Sequence, residues 1–132
     1  MKILVIDDNE NLSTMFSRLM EAEGHECIVS NDGINGLTLI EQEKFDAIIL
    51  DLNMPDFTGF DVIDALEKKG NLKKHKIVVL TATDLSLEKM EELKKRGIHA
   101  CLKKPAKMDL LCEVLESGKI AGRENDDKNF DR

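Results

Sequence analysis

At 132 residues the chain is long enough to bury one real core and too short for two domains. Hydrophobic residues make up 42% and charged residues 34%, the balance of a soluble globular domain rather than a disordered chain. The 26 acidic residues against 19 basic ones leave a net charge of -7, which excludes a general nucleic-acid binder, because that function needs a basic face to neutralise phosphates.

Residues 2–7, Lys-Ile-Leu-Val-Ile-Asp, are a short β-branched run that stops at acids, the pattern of a strand buried on both faces. Asn9 or Asn11 can cap a helix in which Leu12, Met15, Phe16 and Leu19 recur at helical spacing, with Gly24 as its stop. Residues 27–29 read as a weaker strand, and residues 34–43 as a helix with Leu37 and Ile40 on one face. Residues 47–50 are a second continuous apolar run, ended by Asp51. After the loop at 53–59, a helix is expected over 60–69 with Val62, Ile63 and Leu66 inward, stopped by Gly70. Residues 77–80 form a third apolar run, ended by Thr81. Ser86 caps a helix with Leu87, Met90 and Leu93 inward, and Gly97 ends it. Residues 98–102 are the last strand, and residues 107–117 the last helix, presenting Leu111, Val114 and Leu115 before Gly118. Strands alternating with helices predict a doubly wound parallel sheet with helices on both faces. Residues 1–118 are therefore read as the domain and the polar residues 119–132 as a disordered tail.

No apolar run approaches the roughly 20 residues that cross a bilayer, and the opening apolar stretch is too short for a secretory signal. The three cysteines, Cys27, Cys101 and Cys112, form no Cys-x-x-Cys pair and read as reduced thiols of a cytoplasmic protein without membrane association. The histidines, His25, His75 and His99, have no zinc-ligand spacing.

In a parallel α/β sheet, ligands bind outside the carboxyl ends of the strands, where the strand order reverses. Here those ends carry Asp7 and Asp8, Asp51, Thr81 and Lys104. Taken singly, each has a plain structural use: an acid after a strand caps a helix, a threonine fills a strand, a lysine lies at the surface. Taken together they set three carboxylates, a hydroxyl and an ammonium on one rim. Clustered carboxylates repel unless a cation sits among them, and hard oxygen donors favour Mg²⁺, Mn²⁺ or Ca²⁺. A hydroxyl and a lysine beside such a metal suit phosphoryl oxygens.

Asp7-Asp8, the stretch Asp51-Leu52-Asn53-Met54-Pro55, Thr58-Gly59, Thr81-Ala82 and Lys104-Pro105 resemble the receiver (CheY-like) domain of two-component response regulators, over residues 2–117. The resemblance implies a flavodoxin-like fold with five parallel strands in the order 2-1-3-4-5 and five helices. It implies that Asp51 is the phosphoacceptor, a carboxylate nucleophile. Asp8 would bind Mg²⁺ (Mn²⁺ as an alternative) directly and Asp7 mainly through water, with Asp51 and the backbone carbonyl of Asn53 completing the set. Thr81 would donate to the new phosphoryl group and Lys104 would pair with it. Pro105 matches the family's cis proline, and Lys103 should face the other way. Pro55 and Gly59 would shape the metal-binding loop. The implied partners are a sensor histidine kinase or histidine phosphotransfer protein, and a downstream protein target on the face of the fourth helix, fifth strand and fifth helix, residues about 86–117, where Leu85, Leu87 and Met90 are candidate contacts. The chain reads as a stand-alone receiver, a signalling protein that catalyses only its own phosphorylation and dephosphorylation.

Two positions depart from the family pattern. Cys101 stands at the switch position, where family members usually carry Tyr or Phe, and Ala106 stands where Phe or Leu is frequent. Asn53 and Thr83, at positions that tune phosphoryl lifetime in the family, add neither charge nor base. One competing reading is a binding module that keeps the fold without the chemistry, which Cys101 favours. Another is an enzyme of the same fold class. A flavin phosphate would be repelled by the acids at 7–10, and an aspartate phosphatase wants a second acid where Asn53 stands.

Overall fold

The computed structural model describes residues 1–118; the expected tail at 119–132 lies outside the described residues. Strand β1 (Lys2–Ile6), β3 (Ala47–Leu50) and β4 (Ile77–Thr81) are the apolar runs of the sequence, almost wholly buried. They form the middle of a five-stranded parallel sheet ordered β2-β1-β3-β4-β5. The edges are β2 (Glu26–Ser30) and β5 (Ala100–Lys103), both half-exposed, which explains why residues 27–29 read as a weaker strand. Covering both faces of the central strands is what allows them to be apolar at every position.

Alternation along those strands divides the core in two. Leu4, Ile6, Ile48, Leu50, Ile77 and Val79 pack beneath α2 (Gly33–Gln42), α3 (Gly59–Lys68) and α4 (Leu87–Arg96), meeting Ile40, Val62, Ile63, Leu66 and Leu93. Ile3, Val5, Ala47, Ile49 and Val78 face the other way, onto Phe16 and Met20 of α1 (Glu10–Ala22) and Leu111 and Leu115 of α5 (Met108–Glu116). Among the described residues, no helix is long and apolar enough to cross a membrane.

The helix ends follow the expected chemistry. Asn9, rather than Asn11, caps α1, accepting from the Leu12 amide at 3.0 Å. Ser86 caps α4, and the glycines read as stops, Gly24, Gly70, Gly97 and Gly118, all take positive φ. Two caps went unread: Asp32 for α2, and a reciprocal pair between Thr58 and Asp61 at the start of α3.

Three expectations are corrected. In α1 the buried stripe is Ser13, Phe16 and Met20, while Met15 and Leu19 are 54% and 43% exposed. Leu12, Met15, Phe16, Leu19 and Met20 form a broad apolar arc, and the inward seam runs one residue, about 100°, round from the expected stripe. In α4 Leu93 is buried but Leu87 is 75% exposed; six residues separate them, which at about 100° each puts Leu87 about 120° off the inward face. Finally, Ile98 is buried but not in a strand. Its amide returns to the Leu93 carbonyl at 3.0 Å after Gly97, so it closes α4 as a helix cap, and β5 begins at Ala100. A short 3₁₀ turn at Leu72–Lys74, which buries Leu72, was not foreseen.

Candidate functional site

The sheet order reverses at β1 and β3, and the chain leaves both strands at acids. Asp7 follows β1 and Asp51 follows β3, and each is almost fully buried, at 5% and 4% exposure. Asp8 lies beside them at the surface, and carboxylate oxygens of Asp7, Asp8 and Asp51 all lie within 4.8 Å of one another. Lys104, just beyond β5, reaches into this cluster. Its Nζ donates to Asp7 Oδ2 at 2.7 Å and stands 3.4 Å from Asp51 Oδ2. Lys103 faces the opposite way and pairs with exposed Asp84, as alternation along a strand requires. The peptide bond between Lys104 and Pro105 is cis.

Backbone amides hold the buried carboxylates from behind: Asn9 N–H donates to Asp7 Oδ1 at 2.9 Å and Asn53 N–H to Asp51 Oδ1 at 3.1 Å. Thr81, 2% exposed at the end of β4, accepts from the Asn53 carboxamide at 3.1 Å and from the Thr83 amide at 3.2 Å. The Asn53 carboxamide also donates to Thr83 Oγ1 at 2.5 Å. With both lone pairs of the Thr81 oxygen taken, its proton is what it can offer a ligand.

The electrostatics oppose full ionisation. Burial pushes the Asp51 carboxyl above its usual range and the Asp7 charge adds to this, against the Asn53 amide and Lys104, which pull it down. Burial alone would lower the Lys104 ammonium, but its bond to Asp7 and the charges of Asp7 and Asp51 outweigh that and raise it. Three clustered carboxylates, two buried and one exposed, beside one lysine give a set of hard oxygen donors that fits a divalent cation such as Mg²⁺.

Two glycines let the loops close on this geometry. A Cβ on Gly59 would overlap the carbonyl oxygen of Asp51 and stand 2.7 Å from Leu52 Cα, so only glycine lets α3 start against the strand that carries Asp51. Gly33 is packed the same way against the carbonyl of Phe57.

The residues expected at the site, Asp7, Asp8, Asp51, Asn53, Thr81 and Lys104, thus stand together. Cys101 does not join them. It is half-buried on β5 against the core under α2, α3 and α4, with its thiol pushed up by burial. The sequence reading missed the polar backing of Asp7 by Ser30 and Asn31, the second of which also bonds to Ser13. No local spacing signals it, because the expected stripe of Leu12, Met15, Phe16 and Leu19 leaves Ser13 off the inward face.

A family profile described as "Response regulator receiver domain" matches residues 3–116. The Brucella anthropi "Polar-differentiation response regulator DivK" is 26% identical over 87% of this chain and 93% of that protein. The Salmonella typhimurium "Sensor histidine kinase RcsC" is 30% identical over 87% of this chain, which spans only 12% of the kinase. Among solved structures, the Thermotoga maritima response regulator TrrA in complex with Mg²⁺-BeF superposes with a TM-score of 0.70 at 28% identity, covering 85% of this chain and 93% of that one.

Proposed function

Because the chain belongs to the response regulator receiver domain family, we propose that it is a phosphoacceptor signalling module in which Asp51 takes a phosphoryl group, Mg²⁺-dependently, from the phosphohistidine of a sensor kinase or phosphotransfer protein. The observation that carries this reading is the convergence of Asp7, Asp8, Asp51 and Lys104 at the ends of separate strands.

An oxygen of Asp51 attacks phosphorus, the phosphorus–nitrogen bond to the donor imidazole breaks, and an acyl phosphate forms. Asp8, Asp51 and the Asn53 carbonyl, with Asp7 acting through water, would hold Mg²⁺, which would supply charge neutralisation for the phosphoryl oxygens. The Asn53 amide steadies Asp51 while it attacks. Lys104, already 3.4 Å from Asp51, pairs with the phosphoryl group, and Thr81 donates its free proton to it. The acyl phosphate carries about -1.5 to -2 in place of the carboxylate's single charge, and this net gain of up to about one negative charge shifts the fold between two populations with different partner affinity. The responding face is α4, β5 and α5, where Leu87 and Leu110 are 75% and 45% exposed. The protein catalyses only its own phosphorylation and dephosphorylation. The likeness to DivK covers 93% of that protein, so a domain of this kind makes up nearly all of that regulator.

Cys101 favours a second reading, a receiver fold that binds partners without metal or phosphate. Calorimetric Mg²⁺ titration separates the two. A working pocket binds Mg²⁺, and Asp8→Ala weakens binding at least about ten-fold, since losing even an outer-shell partner costs ~10–100-fold. An inert module shows no metal response, and that result would reject the phosphoacceptor reading.

A further inference from the structure

We propose that Asn31 is a positioning residue for the divalent-cation pocket, acting through the main chain of Asp7, a role that rests on Asp7, Asp8 and Asp51 being the Mg²⁺ pocket. Both main-chain polar groups of Asp7 are held by the end of β2 and the turn that follows it. The Asp7 amide donates to the Ser30 carbonyl at 3.0 Å. The Asn31 carboxamide nitrogen donates to the Asp7 carbonyl at 2.8 Å. That carbonyl belongs to the peptide linking Asp7 to Asp8, so anchoring it fixes the plane from which the Asp8 side chain projects. Asp7's own carboxylate is spoken for on both oxygens, by the Asn9 amide and Lys104. Asn31 thus holds the orientation of the peptide plane between Asp7 and Asp8.

The turn is itself stiff. Ser30, 1% exposed, donates its hydroxyl to the Asp32 carbonyl at 2.9 Å and accepts from the Asn35 carboxamide at 3.0 Å. Asp32 caps α2 by accepting from the Asn35 amide at 2.6 Å. The second bond of the Asn31 carboxamide goes to Ser13 Oγ at 3.1 Å, and Ser13 is 1% exposed in α1. The turn leads into α2, whose first residue, Gly33, lies against the Phe57 carbonyl of the β3–α3 loop. The turn and the helix start it leads into thus touch both loops that carry proposed metal ligands. Such outer partners typically set metal affinity by ~10–100-fold.

The test is Mg²⁺ affinity by calorimetry on the full chain, with urea unfolding in metal-free buffer alongside. Asn31→Ala should weaken Mg²⁺ binding about ten-fold. Ser13→Ala, which removes the other bond of the same carboxamide but leaves the Asp7 tie, should leave the affinity of the folded protein within about two-fold while lowering the urea midpoint. Should the alanine variant fail to fold, Asn31→Ser keeps a polar group at the turn yet is too short to reach the carbonyl, and should give the same weakening. Equal Mg²⁺ affinity in the parent and the folded Asn31 variant would overturn the proposal and leave the pocket standing. A parent that binds no Mg²⁺ would overturn the pocket and this role together, a distinguishable result because no variant would then have an affinity to compare.

Discussion

Lys104→Met lowers the stability of the metal-free protein by about 2–3 kcal/mol, and saturating Mg²⁺ returns much of that loss. The magnitude follows from what the lysine touches. Its ammonium is bonded to Asp7 at 2.7 Å and stands 3.4 Å from Asp51, two carboxylates with side chains only 7% and 6% exposed. Removing one partner of a fully buried pair costs about 3–5 kcal/mol, because the other charge is left without compensation. The Lys104 side chain is still 18% exposed, so a value nearer that of a charged hydrogen bond, about 1.5–3 kcal/mol, is the better guide. A cation among the same oxygens replaces the missing charge. The pH dependence has a definite sign. Burial and the Asp7 charge hold Asp51 above the usual carboxylate range in the folded chain. A folded-state pKa that is raised means the penalty is absent at acid pH and grows as pH rises through the unfolded and then the folded value. The gap between variant and parent should therefore narrow on acidification below the carboxylate range. Urea midpoints with and without Mg²⁺ at two pH values check this; equal midpoints in metal-free buffer at neutral pH would contradict it.

Gly59→Ala is expected to damage both fold and site. The added methyl would overlap the Asp51 carbonyl oxygen and lie 2.7 Å from Leu52 Cα. Both obstacles are backbone, and both belong to the segment that leaves β3 at the proposed nucleophile. Relief requires α3 to back away or the Asp51–Leu52 segment to move. Overpacking of this kind costs about 1–3 kcal/mol and sometimes more, and here the strain also displaces Asp51 from Lys104. A lower melting temperature together with weaker Mg²⁺ binding is the predicted pair of results. Gly36→Ala is a useful contrast: its methyl would meet the Ile6 side chain at 2.7 Å, so it should destabilise without reaching the pocket. A Gly59→Ala protein with parental stability and metal affinity would refute the close-approach argument.

The parts of this molecule legible in the sequence are those where one physical demand dominates. The runs at Lys2–Ile6, Ala47–Leu50 and Ile77–Thr81 had to be central strands, because only burial on both faces tolerates so many successive apolar residues. The site was legible for a related reason. Polar residues that end such strands fall on one rim whatever the loops do, so Asp7, Asp51, Thr81 and Lys104 could be placed together before any geometry was known. Helix phase was less legible. Leu12, Met15, Phe16, Leu19 and Met20 allow more than one inward stripe, and packing chose the seam that includes the small, polar Ser13. In α4 Leu87, at the first helical position, fits an apolar spacing with Met90 and Leu93 yet lies about 120° off the buried face. The bracing of Asp7 by Ser30 and Asn31 depends on which turn lies beside which strand end, a tertiary juxtaposition that no local spacing encodes.

The central claim is that Asp51 is the phosphoacceptor, and intact-protein mass tests it most directly. Incubated with Mg²⁺ and a small-molecule phosphodonor, the parent chain should gain the mass of one phosphoryl group, the gain should vanish when Mg²⁺ is chelated, and Asp51→Asn should gain none. A parent that takes up no phosphoryl group, or an Asp51→Asn protein that takes up as much as the parent, would contradict the account.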